Sequence, residues 1–190
     1  MKVFQIILSS IIIFLISLNI GYSQGKIYLN ENFEEAIPDD WNEYVNESYK
    51  WDTLDGGGMS GGHPTSAKQG ELNAIFRVAS NEQPATIMVL PAADLEYAIK
   101  PDLNFFHSQE EQDTDHDILE VYYKLGKDSA WRFLDDYTNK TPYDTWVERN
   151  IQLPDSALTD SCIIGFKGIS NSGFGVCVDS VTIIERGEET

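Results

Sequence analysis

The chain has 190 residues, 42% of them hydrophobic, with 31 acidic against 13 basic side chains and a formal net charge of −18. That length suits a single domain with a real core. The acidic balance disfavours nucleic acid and anionic membrane surfaces, because there is no basic stripe to displace counterions from phosphates.

Lys2 precedes an apolar run over 3–20, broken by Ser9, Ser10, Ser17 and Asn19, and then Gly21-Tyr22-Ser23. A positive start, an apolar centre and a small-residue exit predict a signal peptide over 1–23, leaving one domain over 24–190. The expected location is secreted, periplasmic or at the cell surface. An uncleaved anchor of about 18 residues would sit at the lower limit for crossing a bilayer, so no membrane insertion is expected after cleavage.

Beyond the leader no helical period is sustained. Short alternating runs separated by turn residues predict strands over 27–33, 50–54, 72–78, 86–90, 103–107, 119–125, 131–137, 146–153, 162–168 and 176–184. In the run at 119–125, Leu119, Val121, Tyr123 and Leu125 share one face while Glu120, Tyr122 and Lys124 take the other. One side is therefore core and the other wet. About ten strands without crossover helices predict two packed antiparallel sheets.

The loops between these strands carry several motif-like patterns. Gly56-Gly-Gly58-Met-Ser-Gly61 matches the dinucleotide fingerprint but lacks the following helix that would hold a pyrophosphate. Gly58-Met-Ser60-Gly-Gly62 matches a nucleophile elbow without its parallel α/β framework. Asp113, Asp115 and Asp117 have the alternate spacing of a calcium loop. Ile118 stands where that loop needs glycine, and Lys124 where it needs glutamate. His63, His107 and His116 show no paired zinc spacing.

Trp41, Trp51, Trp131 and Trp146 supply flat faces of the kind carbohydrate binders use. Large aromatics of a sandwich more often serve its core. The loops 56–65 and 109–117 are the expected ligand-contacting surface, since such folds carry function on loops.

Cys162 and Cys177 are the only cysteines. They flank a predicted hairpin whose turn centres on Ile169 and Ser170, and that register places them opposite each other. A disulfide closing this loop is expected, with two buried free thiols as the alternative.

The last strand holds the most informative residue. Asp179 alternates with Cys177, Val181 and Ile183, which places a carboxylate in an apolar row. Such a group must be neutral, hydrogen-bonded or bound to a metal. Calcium shared with Glu34 is the expectation.

Glu31-Asn-Phe-Glu34, Ile37-Pro-Asp-Asp-Trp41, Leu90-Pro91, Leu103-Asn-Phe-Phe106, Asp117-Ile-Leu-Glu-Val-Tyr122, Trp131, the run at 146–153, Ile164-Gly-Phe166 and Val178-Asp-Ser-Val-Thr-Ile183 follow one another in a recognisable order. Together, across residues 29–185, they resemble the cleaved-adhesin and choice-of-anchor J domains of surface proteins from Bacteroidetes-type bacteria, relatives in shape of the MAM domain. The resemblance implies an all-β, two-sheet antiparallel jelly-roll sandwich, usually without catalysis, that serves adhesion or ligand binding and often carries structural Ca2+. It places Glu34 and Asp179 as the ion's ligands, with Asp117 as a third candidate. Ser180 departs from the family pattern, which often has a second acid there.

The function expected is an exported, non-catalytic module recognising glycans or proteins. A carboxylate-dependent glycan hydrolase on the same scaffold and a structural envelope subunit are the alternatives.

Overall fold

The computed structural model describes residues 25–46, 48–57, 63–78 and 82–185. The expected leader over 1–23, part of the glycine loop (58–62) and the tail 186–190 lie outside the described residues. Eleven strands are described: β1 (Lys26–Glu31), β2 (Asn42–Tyr44), β3 (Asp52–Leu54), β4 (Asn73–Phe76), β5 (Ala85–Val89), β6 (Asp102–Gln109), β7 (Ile118–Leu125), β8 (Arg132–Tyr137), β9 (Val147–Gln152), β10 (Cys162–Ile169) and β11 (Val176–Glu185). Single 3-10 turns stand at Asp39–Trp41 and Asp155–Ala157, and no α-helix occurs among the described residues. No described helix is long and apolar enough to cross a membrane.

The first sheet runs β3-β4-β11-β6-β9, with β1 also paired to β11; the second runs β2-β5-β10-β7-β8. Every pairing between these strands is antiparallel. This is the pair of antiparallel sheets expected from the alternating runs, and the jelly-roll sandwich that the resemblance implied.

Period-two patterning decides what each strand buries. Leu119 and Val121 are fully buried and Tyr123 nearly so, as their alternation requires. Phe166 on β10 meets Phe105 on β6 edge-on at 5.0 Å, which locks one sheet against the other. Trp51 is fully buried, and its indole N–H donates to the Thr86 carbonyl at 3.0 Å, so its polar atom is satisfied.

Two polar residues, His107 and Gln109, face inward from β6. The His107 ring is fully buried, 4.7 Å from the Tyr137 ring. Its Nε2 accepts the Arg149 Nε–H at 2.9 Å, so Nδ1 carries the proton and donates to Gln109 Oε1 at 3.0 Å. Burial, reinforced by the Arg149 guanidinium, lowers the imidazole pKa to about 4.

The expected Cys162–Cys177 disulfide is absent; both are free, buried thiols. The hairpin behind that expectation does not form. β10 pairs with β5 and β7, whereas β11 pairs with β1, β4 and β6, so the connection at 170–175 crosses between sheets. Cys162 opens β10 at one end of the sandwich, and Cys177 is the second residue of β11 at the other. The length of β10 alone separates them by about 20 Å, far beyond the roughly 7 Å limit between bridged Cα atoms. Turn residues at 168–173 look the same in sequence whether they return a strand to its neighbour or send it to the facing sheet.

Two predictions follow from this interior. Burial pushes both thiols up to about 12, so a thiol reagent should find none in the native protein within minutes and two in denaturant, and reductant should leave the melting temperature unchanged. A reductant-sensitive melting point would restore the disulfide. The second concerns pH. His107 binds its proton less readily in the fold than in the unfolded chain. Its stabilisation is complete above pH about 6.5 and is lost as pH falls toward about 4, by about 3 kcal/mol in all. Urea titrations across that window should show this slope, flattened in His107→Gln.

Candidate functional site

The three carboxylates singled out in the sequence are all bonded to backbone. β1 and β11 pair from Lys26 opposite Glu185 to Glu31 opposite Val181, which brings Glu34 and Asp179 to the same segment, 68–72. Asp179 Oδ2 accepts the N–H groups of Lys68 and Gln69 at 2.8 and 3.0 Å, and its Oδ1 accepts that of Ser180 at 2.6 Å. Glu34 Oε1 accepts the N–H groups of Glu71 and Leu72 at 3.0 and 3.3 Å. Gly70 lies between them at φ +71, where a Cβ would run into the Glu34 carboxylate. Asp117 stands apart, at the crossover between sheets. It accepts the N–H groups of Asn171, Gly173 and Gly175 at 2.5, 3.1 and 2.6 Å.

Asp179 is fully buried, as its apolar neighbours in sequence require. The alternation itself breaks, however. A β-bulge between Asp179 and Thr182, with Ser180 at φ +52, puts Val178 and Val181 both into the core. Asp179 therefore shares a side with Cys177 rather than with Val181 and Ile183. Burial raises its pKa, while the three N–H donors work in the opposite direction.

Calcium asks for about six to eight oxygens, and an N–H dipole presents its positive end. The lone pairs of Glu34 and Asp179 face such dipoles. Among the described residues, no three or more His, Cys, Asp or Glu side chains are placed to share an ion. So arranged, these residues do not fit a calcium site. They act as clasps holding 68–72 to the terminal strands.

The described parts of the loops expected to meet ligand, and the residue after the first of them, bond several polar groups to the scaffold. Gly56 N–H donates to Asn73 Oδ1 at 2.7 Å, Thr65 N–H to Asp144 Oδ1 at 2.7 Å, and the Trp146 indole to the Ser66 carbonyl at 3.0 Å. The described parts of 55–72 thus strap the outer face of the first sheet over Cys177. At the other loop, Gln109 Nε2 donates to the carbonyls of Asp117 and Tyr137.

The outer face of the second sheet is arranged differently. Register puts Tyr122 opposite Gly165, Glu120 opposite Lys167 and Lys124 opposite Ile163. Trp131 precedes β8 at one edge, yet its Nε1–H donates to Glu43 Oε1 on β2, at the far edge, at 2.8 Å. Lys124 Nζ lies 4.3 Å from the indole centroid and 3.1 Å from Glu43 Oε2. Only a glycine makes room here: a Cβ on Gly165 would stand 2.7 Å from the Trp131 six-membered ring and 2.8 Å from Ile87.

The ring is therefore fixed by a hydrogen bond, a cation–π contact and a niche. Beside it, Tyr122 meets Phe133 edge-on at 5.7 Å, and Phe133 is 55% exposed. Tyr122 OH and Lys167 Nζ both donate to Glu120 Oε2 at 2.8 Å. Burial pushes the Tyr122 hydroxyl, bonded to Glu120, up to about 12. Burial alone would raise Glu120, but Lys167 and Tyr122 hold it below the usual carboxylate range.

The sequence pattern had placed Glu120, Tyr122 and Lys124 on a wet face. Lys124 corrects this: its side chain is 7% exposed, shielded at the indole of Trp131. The row itself was missed. A long-range contact between Trp131 and Gly165 leaves no periodic trace, and the only local signal was Tyr122 alternating with charge.

No protein-family model matches the sequence, and a search of curated proteins finds no match. Solved structures do match. The K1 cleaved adhesin domain of Lys-gingipain from Porphyromonas gingivalis is 19% identical, with a TM-score of 0.62, over 84% of this chain and 98% of that one. The xylan-binding domain CBM22-1 of Xyn10C from Paenibacillus barcinonensis is 13% identical, with a TM-score of 0.53, over 88% and 100%. TmCBM61, solved with β-1,4-galactotriose, is 13% identical, with a TM-score of 0.54, over 85% and 99%. At these identities the likeness is one of fold, and the chain has the cleaved-adhesin-like fold.

The clasps carry their own prediction. Asp179→Ala strands the N–H groups of Lys68, Gln69 and Ser180, at a cost of about 1–3 kcal/mol or more. Thermal melts should show that loss equally in calcium and in chelator. A calcium-dependent rise in melting temperature that Asp179→Ala abolishes would instead establish an ion between the terminal strands.

Proposed function

We propose that the domain is a non-catalytic, exported carbohydrate-binding module and that the outer face of the second sheet is its contact surface. The observation that carries this reading is the fixed Trp131 ring beside the Tyr122–Phe133 pair. Sugar rings present C–H faces that stack on aromatic surfaces, and a ring already held in place loses little freedom on binding. Glu43, Glu120, Lys167 and the Tyr122 hydroxyl stand around the rings as acceptors and donors for sugar hydroxyls. The xylan-binding and galactotriose-binding domains of the same fold support the choice of ligand class. The adhesin domain supports a role in attachment, for which glycans on an envelope or matrix are suitable partners.

Catalysis fits the face poorly. A glycosidase needs one carboxyl raised to act as an acid. Glu120 is held in the opposite direction, and Glu43 is tied by both oxygens to Lys124 and Trp131.

Affinity electrophoresis against soluble polysaccharides tests the reading. Trp131→Ala and Phe133→Ala should each weaken retardation by about tenfold, the equivalent of about 1.4 kcal/mol. Gly165→Val should do the same without removing any contacting group, because its Cβ displaces the indole. Unchanged retardation in all three would remove this face from the binding site.

A further inference from the structure

Charge on the outer face of the second sheet does not balance at its β8 edge. Register sets Lys167, Glu120 and Asp136 side by side on β10, β7 and β8. Residues directly opposite hold their Cβ atoms about 5 Å apart, and like charges so placed repel. One lysine stands beside the two carboxylates. Its Nζ donates to Glu120 Oε2 at 2.8 Å, whereas Asp136 makes no ion pair among the described residues.

The other cations nearby are already committed. Lys124 is held by Glu43 and the Trp131 ring. Arg132, the basic residue of β8, lies over the ring of Tyr123, a core residue. Asp136 is exposed, and on the same side of β8 Phe133, 55% exposed, stands opposite Tyr122. Burial raises the Tyr122 hydroxyl first, and the charges of Glu120 and Asp136 add to it, so both carboxylates stand at this ring pair.

The edge thus sets an aromatic face beside a carboxylate without a counter-charge, in a chain of net charge −18. An ammonium answers both, since the ring face attracts a cation and the carboxylate accepts its N–H donors. A neutral hydroxyl gains neither charge interaction, and a uronate is repelled.

We infer that the β8 edge of this face is a subsite for the protonated amine of an amino sugar, with Phe133 against the ammonium and Asp136 and Glu120 accepting from it. This rests on the glycan-binding reading above and specifies the charge of its ligand. An exposed ion pair and an exposed cation–π contact are each modest, so the amine should tighten binding about fivefold.

Calorimetry in mildly acidic buffer, where the amines are charged, tests it with β-1,4-linked glucosamine oligosaccharides and their N-acetylated counterparts of equal length. The glucosamine series should bind about fivefold more tightly, and Asp136→Asn should close that gap. Glu148→Gln removes the same charge from β9 in the first sheet and should leave the gap open. No binding of the glucosamine series, an acetylated series that binds as tightly, or a gap that survives Asp136→Asn or closes equally in Glu148→Gln would overturn the amine subsite. Glycan binding would still stand on retardation by the neutral polysaccharides. Binding of neither series, with no polysaccharide retarding the protein and the fold intact by melting, would overturn both.

Discussion

Backbone N–H groups without a strand partner are what a sandwich with long connections must satisfy, and here carboxylates do it. Asp179 and Glu34 hold 68–72 against the terminal strands, and Asp117 holds 171–175 where the chain changes sheets. A carboxylate offers two oxygens with several lone pairs, so one side chain can gather three donors that no ladder reaches. The glycines at 70 and 173 let the backbone come that close. With these segments fixed, the first sheet is strapped on its outer side and the second is left open.

That asymmetry bears on function. The outer face of the first sheet lies under its own loop, with Cys177 and Asp179 sealed in. The second sheet instead turns outward a tryptophan that bridges from β8 toward β2 above a glycine. Lys124, buried there, has its charge compensated by Glu43 and by the indole face. Burying a lysine this way is tolerable only because both partners are present. The same arrangement holds the Trp131 ring in place, so the stability of the face and the pose of the ring rest on the same contacts.

How much of this was legible depended on the range of the interaction. Leu119, Val121 and Tyr123 announced their burial by alternation, and Asp179 by its apolar neighbours. Local periodicity is what a single sequence displays. The bulge at Ser180 escaped because two inward residues flanking an outward pair still read as an apolar strand. The disulfide failed because a turn does not state which sheet the chain enters next. Calcium was expected from the carboxylates, but the N–H donors that occupy them come from 68–72, more than thirty positions from Glu34 and more than a hundred from Asp179. Trp131 and Gly165 are likewise joined only by the fold.

The place of β11 has a temporal consequence. It is the last described strand, yet it lies inside the first sheet, with β4 along its opening residues, β1 along its closing ones and β6 on the other side. β1 has no other described partner. The first strand made must wait, unpaired, for the last, and contacts so distant in sequence are slow to close. Until β11 has been made, β1 has no edge to pair with and the first sheet cannot close.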